Sequence, residues 1–461
     1  MCGIAGYISK KKPQKKILKK MTDRIAYRGP DAEGFYLDDE CALGHRRLSI
    51  IDLSTGNQPI YNETKEVVIV FNGEIYNYVE LREELKKKNH QFVTSTDTEV
   101  LVHGYEEWGH ELTKKLRGMF AFAIWDKVNK ELYLARDGWG IKPLYYYESN
   151  DTLMFASEIK AFLDHPEFKK ELNEEILSAY LCFNSTPTEE TFFKGVYRLE
   201  PGHQLIYKNG QKKIEEFFSL EFKENDKDMD EIVKEIKVAM EDSVKHHEIA
   251  DVEVGSFLSS GIDSSYLVSL AKPDKTYTVG YDNPKYDEIS YAKDLAKKLK
   301  ITNKSKKITK EEYIKAFPNI MYHMDEPLAD PSAIALYFVA QIASKDVKVV
   351  MSGEGADELF GGYNTYKEEV DQAWYMKIPY PIRRLASSFA GLFPETRGFN
   401  FIYRRGRKLE DYNIGLGRIF RDEEAMKIVK CPNQINTKDI VKPFYEKYKD
   451  NSNMVKRQAI D

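Results

Sequence analysis

The chain has 461 residues, 42% of them hydrophobic and 13% aromatic, enough to build cores for two or three domains. Sixty-nine Lys and Arg face 74 Asp and Glu, and a net charge of −5 argues against nucleic acid or an anionic membrane surface as a partner. Four distant cysteines (Cys2, Cys41, Cys182, Cys431) with no Cys-x-x-Cys pair argue against a zinc site and a disulfide scaffold. No apolar run reaches the ~18 residues of a membrane span, so a soluble cytoplasmic protein is expected.

Met1-Cys-Gly-Ile-Ala-Gly-Tyr-Ile8 reads as a buried strand. A small residue at position two permits removal of the initiator Met. Cys2 would then carry a free α-amine of pKa about 7.7–8.0, able to take the proton of its own thiol. A lone cysteine is also commonly just a buried core residue. The lysine-rich stretch 10–20 reads as the solvated face of a helix running to about residue 25. Arg28-Gly-Pro-Asp31 is a turn by composition. Short strands follow at 34–37, 41–45 and 67–71, the last ended by Asn72-Gly73, a pair common in tight turns. Residues 76–88 and 99–108 have helical spacing, and Asp97 is placed to cap the second helix. Further strands are expected at 120–125, 131–136, 144–147 and 153–156.

The charged, apolar-poor stretch 221–230 marks a domain boundary. Beyond it strand and helix alternate: helix 231–246, strand 252–258, helix from about 264, strand 276–281, helix 287–299, helix 334–343 and strand 347–351. That alternation predicts an open parallel sheet with flanking helices, whose ligands bind beyond the carboxyl ends of the strands.

Two turns lie at such ends. Leu258-Ser-Ser-Gly-Ile-Asp-Ser-Ser265 aims N–H groups, hydroxyls and a helix N-terminus at one point, which suits a phosphate. Gly261 admits close backbone approach. Asp263 is out of place beside an anion unless a cation lies between, so it reads as a magnesium ligand. The serines alone would also serve as ordinary helix caps. Ser352-Gly-Glu-Gly-Ala-Asp-Glu-Leu-Phe-Gly-Gly-Tyr363 is the second acid-bearing, glycine-rich turn.

The first turn lacks a Walker lysine and resembles the Ser-Gly-Gly-x-Asp-Ser loop of ATP pyrophosphatases, with Ser260 at the first Gly. Together with Cys2-Gly-Ile-Ala-Gly, Arg47-Leu-Ser-Ile-Ile and Asn72-Gly-Glu-Ile-Tyr, the two turns make the chain resemble the glutamine-dependent asparagine synthetases of the bacterial B type over nearly its whole length. The resemblance implies an N-terminal-nucleophile (Ntn) glutaminase of αββα sandwich fold over 1–220. It implies an adenine nucleotide alpha hydrolase-like synthetase domain, an open parallel sheet with flanking helices, over 221–461. A later basic segment of Lys-x-Asp-Lys type belongs to the family pattern and would lie beyond Asp461.

By resemblance, Cys2 attacks the glutamine amide, while the Asn72 side chain and the Gly73 N–H hold the oxyanion. Arg47, within Arg47-Leu48-Ser49-Ile50-Ile51, pairs with the glutamine α-carboxylate; Glu74 and Asp97 hold its ammonium. Leu258, Val279, Ser352 and Gly353 contact ATP, Ser259, Gly261, Asp263 and Ser264 hold its pyrophosphate, and Asp263 and Asp357 bind Mg2+. Glu354 is tied to the adenylate step. L-glutamine, L-aspartate and ATP are the expected small-molecule partners, an interdomain ammonia tunnel is implied, and a homodimer is compatible. Asp325-Glu-Pro-Leu-Ala-Asp330 also resembles a family block and has no assigned role beyond capping the next helix. A sister amide-forming ligase and a regulatory glutamine- and nucleotide-binding protein are the alternatives.

Overall fold

The computed structural model describes the chain except residues 284–287, 329, 394–395 and 431–434. Cys431, Ala329 and the Asp287 start expected for one helix lie outside the described residues.

Two-residue alternation in the first half builds a pair of stacked antiparallel sheets. The strands are β1 (Gly3–Ser9), β2 (Ala32–Leu37), β3 (Cys41–Arg47), β4 (Ile60–Tyr61), β5 (Val67–Ile75), β6 (Gly118–Asp126), β7 (Glu131–Arg136), β8 (Tyr145–Glu148), β9 (Thr152–Ala156), β10 (Val196–Arg198), β11 (His203–Lys208) and β12 (Gln211–Glu216). One sheet runs β10-β8-β9-β1-β3-β2, the other β12-β11-β7-β6-β5-β4. Ile4, Ile8, Leu43, Val68, Val70, Ala123 and Leu134 fill the space between them. Strands β1, β5 and β7 are buried along both faces, so each sheet needs the other on its inner side and a covering layer outside.

Helix α1 (Lys15–Asp23) covers the outer face of the first sheet through Leu18 and Met21. It is shorter than expected: residues 10–14 lead into it. Helices α2 (Tyr78–Lys87) and α3 (Glu99–Trp108) cover the second sheet through Leu81, Leu85 and Leu101. The result is an αββα sandwich. Helix α4 (Leu177–Phe183) departs from this body. Its Cys182 packs in a cluster with Leu409, Tyr412, Ile414, Val441 and Tyr445, so the first 220 residues lend one apolar face to the C-terminal helices.

Helix α5 (Met229–His247) leads into the second unit. It contains β13 (Val254–Phe257), α6 (Ile262–Ala271), β14 (Lys275–Tyr281), α7 (Ile289–Leu299), β15 (Thr302–Ile308), α8 (Lys310–Met324), α9 (Ser332–Ala343), β16 (Val349–Met351) and α10 (Ala356–Phe360). The sheet order is β15-β14-β13-β16, and every pair is parallel. From β13 the chain winds outward to β14 and β15, then returns to the other side for β16. The topological switch point therefore lies between β13 and β16, where a crevice at the carboxyl ends can take a ligand.

Polar contacts fix one unit on the other. Lys348 Nζ lies 2.6 Å from Asp31 Oδ2. The Asp251 N–H donates to Ile50 O at 3.0 Å and the Asp52 N–H donates to Asp251 Oδ2 at 2.7 Å. Asp325 pairs with Lys160 at 2.8 Å and accepts from the Ile159 N–H at 2.6 Å; Glu326 pairs with Arg198 at 2.9 Å. Asp325 and Glu326 are thus interdomain struts, while Asp330 does accept from the Ser332 N–H at the start of α9. With Lys160 lost, the buried Asp325 carboxylate would lose its counter-charge, the costly case for ion pairs, whereas Lys160 would still keep Glu158.

Candidate functional site

Alternation carries the apolar inner rows of three strands into polar residues at one end of the sandwich. In β1 the row Ile8, Ile4 continues to Cys2. In β3 the row Cys41, Leu43 continues to His45 and Arg47. In β5 the row Val68, Val70 continues to Asn72 and Glu74. Gly3 faces Arg46 in the β1–β3 register, which brings Cys2 alongside Arg47. Period two thus assembles these residues from distant parts of the chain.

Asn72-Gly73 does not end its strand; β5 runs on to Ile75. The reason lies on its edge beyond short β4. The Phe71 N–H donates to Gln58 Oε1 at 2.6 Å and the Ile75 N–H to Asp97 Oδ2 at 2.9 Å. These side chains replace a strand partner, and the Gly73 N–H points to the same edge between them. A Cβ at Gly73 would lie 2.2 Å from Met119 O, so only glycine fits. Asp97 accordingly is no helix cap: its carboxylate serves β5, and Thr98 precedes α3 without a side-chain cap. Asn72 is buried, and its Nδ2 has no hydrogen-bond partner. A buried donor without an acceptor is costly unless something else occupies it.

Around this donor, Leu48 N–H donates to Cys2 Sγ at 3.4 Å and Arg28 Nε donates to Cys2 O at 2.9 Å. Burial raises the Cys2 thiol pKa. The chain's α-amine, carried by Met1, is pulled down to about 6, chiefly by burial. An amine buried at this end of the chain is neutral near pH 7 and free to accept a proton, while the raised thiol pKa makes that transfer uphill and leaves it to be driven by attack on a substrate. Burial also pushes Glu74 up to about 7, against the pull of Lys142, and Asp97 up to about 6. Lys142, buried and close to Glu74, and Arg28, paired with Glu158 at 2.7 Å, belong to the site and carry no sequence motif that singles them out.

Arg47 is buried, and its guanidinium donates to Asn57 Oδ1 at 2.8 Å, to Ile51 O at 3.2 Å and to Asp52 O. Surface pairing falls to Arg46 instead, which meets Glu33 at 2.8 Å and Asp23. A guanidinium fixed by neutral acceptors keeps its charge for a carboxylate. The loop 48–51 is held at each residue: Leu48 to Cys2, Ser49 N–H to Asp31 at 2.9 Å, Ile50 O to Asp251, and Ile51 O to Arg47.

The second cluster lies at the carboxyl ends of β13 and β16. Strand β13 is shorter than expected, and α6 begins at Ile262, so Asp263 sits in the first helical turn and not in the loop before it. Gly261 is the N-cap residue. Ser259 N–H donates to Ser264 Oγ at 3.1 Å, Ser259 and Ser264 hydroxyls lie 2.8 Å apart, and Ser259 Oγ accepts from Gly261 N–H at 3.1 Å. The serines thus shape the loop while their hydroxyls line it. Leu258, the residue before the loop, is buried against Val268, Ala292 and Ala296, whereas Val279 on β14 is half-buried in separate clusters with residues of α8 and α9. A Cβ on Gly353 would lie 3.3 Å from Asp263 Cβ and Ser264 N, so the two turns touch. Ser352 Oγ donates to Glu354 Oε1 at 3.1 Å, leaving that carboxylate exposed.

Asp263 has its pKa raised by burial, then by Asp357 and Glu358. Three acids crowded beside a helix N-terminus and a hydroxyl-lined loop have the donor chemistry of a hard divalent cation such as Mg2+. Asp263 and Asp357 are the residues that fit it.

Comparison with known proteins matches residues 1–218 to the family model described as "Glutamine amidotransferase domain" and residues 235–425 to that described as "Asparagine synthase". A Bacillus subtilis (strain 168) protein named asparagine synthetase (glutamine-hydrolyzing) 1 is 42% identical over 473 residues, covering 100% of this chain and 75% of that protein. Asparagine synthetase (glutamine-hydrolyzing) 3 of the same organism is 32% identical, covering 84% and 68%. Among solved structures, the glutamine phosphoribosylpyrophosphate amidotransferase of B. subtilis is 19% identical with a TM-score of 0.36, covering 66% of this chain and 65% of that one. Among the described residues, no helix is long and apolar enough to cross a membrane.

Proposed function

The chain belongs to the glutamine-hydrolysing asparagine synthetase family, and from that premise we propose how its own residues divide the reaction. Residues 1–220 release ammonia from L-glutamine; residues 221–461 activate L-aspartate with ATP and pass it to that ammonia. The products are L-asparagine, AMP, pyrophosphate and L-glutamate.

In the first half-reaction, removal of Met1 moves the free amine onto Cys2. That amine takes the thiol proton, Sγ attacks the amide carbon, and the same proton goes to the departing ammonia. Water then gives a proton to the amine and attacks the resulting thioester, the C–S bond breaks, and L-glutamate leaves as the thiol is restored. Asn72 Nδ2 and Gly73 N–H receive the oxyanion. The unpartnered buried Asn72 donor is the observation that carries this reading. Arg47 takes the substrate carboxylate, and Glu74 and Asp97 take its ammonium.

In the second, the Ser259–Ser264 loop holds the phosphates and the aspartate carboxylate attacks the α-phosphorus, giving β-aspartyl-AMP. Mg2+ bound by Asp263 and Asp357 would neutralise phosphate charge. Leu258, Val279, Ser352 and Gly353 position the nucleotide, and Glu354 is the base for ammonia attack. Ammonia passes between the two units internally. Cys2, Cys41 and Cys182 are free thiols, which fits a reducing cytoplasm.

Asn72→Ala tests the first half directly. Losing one oxyanion donor lowers kcat for glutamate release by roughly 10²–10³-fold, with ammonia-dependent asparagine formation unchanged. Equal loss of both activities would point to misfolding and against the assigned role. A pH profile supplies a second check. Glu74 must be ionised to hold an ammonium, and its pKa is about 7. Below that pH it is protonated, so kcat/KM for glutamine falls as pH drops through about 7, and Glu74→Gln lowers it and makes this limb shallower, leaving the shares of the α-amine and Asp97.

A further inference from the structure

At the opposite end of β5 from Asn72 and Glu74, three separate segments bring two histidines and two carboxylates together. Glu63 lies in the turn between β4 and β5, His90 follows α2, and His103 and Glu106 stand one turn apart on α3. One ligand atom from each lies within 4.8 Å of all the others. His103 Nδ1 is 3.3 Å from Glu63 Oε2 and 3.4 Å from Glu106 Oε2; His90 Nδ1 is 3.7 Å from Glu63 Oε1 and 3.9 Å from Glu106 Oε2. Bonds of 2.0–2.1 Å from a tetrahedral ion put ligand atoms about 3.3–3.4 Å apart. The His103 contacts are already at that spacing, while the four ligand atoms together span up to 4.8 Å and would draw in around an ion.

The surroundings are those of a site that orients ligands. Both imidazoles turn Nδ1 inward, and each Nε2 faces a carboxylate outside the cluster: His103 faces Glu99 Oε1 at 3.6 Å and His90 faces Glu107 Oε2 at 3.6 Å. A carboxylate thus stands behind each ring, 3.6 Å away and short of a hydrogen bond, and a small shift on metal binding would complete the carboxylate–histidine–metal arrangement. Glu99 is itself fixed by the N–H groups of Val93 and Thr94, each at 2.8 Å. Asn62 Nδ2 donates to Glu106 Oε1 at 2.6 Å and Gln91 N–H donates to Glu63 Oε1 at 2.8 Å, holding one oxygen of each carboxylate. His103 is 1% exposed, while the other three reach solvent and leave a path of entry.

We propose that Glu63, His90, His103 and Glu106 form a structural site for one divalent transition-metal ion of the zinc class. Two imidazole nitrogens and two carboxylate oxygens suit zinc and its neighbours better than magnesium, which prefers oxygen alone. The ion would staple the β4–β5 turn, the end of α2 and the middle of α3. Cysteine spacing gives no hint of it, because no cysteine takes part.

The test is zinc binding by the full-length protein. After chelator treatment, addition of Zn2+ alone and gel filtration, the wild type should retain one equivalent more than His90→Gln or Glu63→Gln. It should also melt at a higher temperature with zinc than without, a gain both variants lose. Both residues are partly exposed, so folded variants are expected and circular dichroism checks them. Should either unfold, Co2+ added to the wild type decides: a tetrahedral spectrum without a thiolate charge-transfer band supports the site. Zinc retained equally by folded variants, no retained zinc in the wild type, or a Co2+ spectrum showing thiolate ligation would overturn it. The four residues would then be a histidine–carboxylate ion-pair cluster only.

Discussion

Cys2→Ala is expected to lower glutamate release from glutamine on the order of 10⁴-fold or more, the scale of losing a covalent nucleophile. Glutamine-dependent asparagine formation should fall with it. Ammonia-dependent formation should stay within about twofold, because distant sites contribute independently. The expectation rests on geometry as much as on the thiol. Cys2 continues the inner row of β1, Leu48 N–H meets its sulfur, and Arg28 holds its carbonyl. Burial keeps the thiol protonated, so reaction requires a base, and the α-amine that Cys2 itself carries once Met1 is removed is the group proposed for it. Mass spectrometry should find the active form beginning at Cys2. An extra residue retained before Cys2 should silence the glutaminase alone, since it displaces that amine from the nucleophile's own residue.

Asp263→Asn is the complementary case. Asp263 lies in the first turn of α6, crowded by Asp357 and Glu358. Removing one charge relieves that crowding, so the apo protein should be no less stable. Turnover should move the other way. If the cation supplies about 4 kcal/mol of charge stabilisation at the α-phosphorus, AMP formation falls by about 10³-fold. Glutamate release from glutamine in the absence of ATP should be unaffected. A variant that forms AMP at the wild-type rate would remove Asp263 from the metal site. One that loses both activities would show damage to the fold.

Two Asn-Gly pairs, one of them not singled out from the sequence, show why composition alone does not place a turn. Asn209-Gly210 joins β11 to β12 with φ of 53° and 76°, the left-handed pair a two-residue hairpin demands. Asn72-Gly73 has the same composition but continues a strand, because Gln58 and Asp97, distant in sequence, supply its edge partners. Composition cannot separate the two; tertiary context does. Strand β15 was invisible for a related reason. Thr302–Ile308 carries three lysines and one large aliphatic residue, a poor strand by propensity, yet it pairs along its full length with β14 at the sheet edge. Edge strands tolerate lysine because one side faces solvent, and lysine there discourages pairing with other chains.

The catalytic rows were easier to read. Strands β1, β3 and β5 are buried on both faces, so pattern alone does not say which side faces inward; Cys2, Arg47, Asn72 and Glu74 stand out by their motifs, and the folded strands place them on one face. The loop after β13 was legible because its glycine, serines and acid are contiguous. Arg28, Lys142 and Asn57 were not, since each reaches the site from a turn whose path only the folded chain defines. Asp325 and Glu326 were the least legible. Their partners Lys160 and Arg198 lie well over a hundred residues away, and an interface between units leaves no local pattern.

One experiment addresses the coupling of the two centres. Supply amide-¹⁵N-labelled glutamine, aspartate and magnesium-ATP together with a large excess of unlabelled ammonium, and follow AMP and the isotope in asparagine. Asparagine carrying mainly ¹⁵N, formed one-for-one with AMP, is the predicted result: nitrogen freed at Cys2 reaches β-aspartyl-AMP without mixing with solvent. Asparagine carrying the isotope ratio of the bulk ammonium, or ADP in place of AMP, would contradict the account.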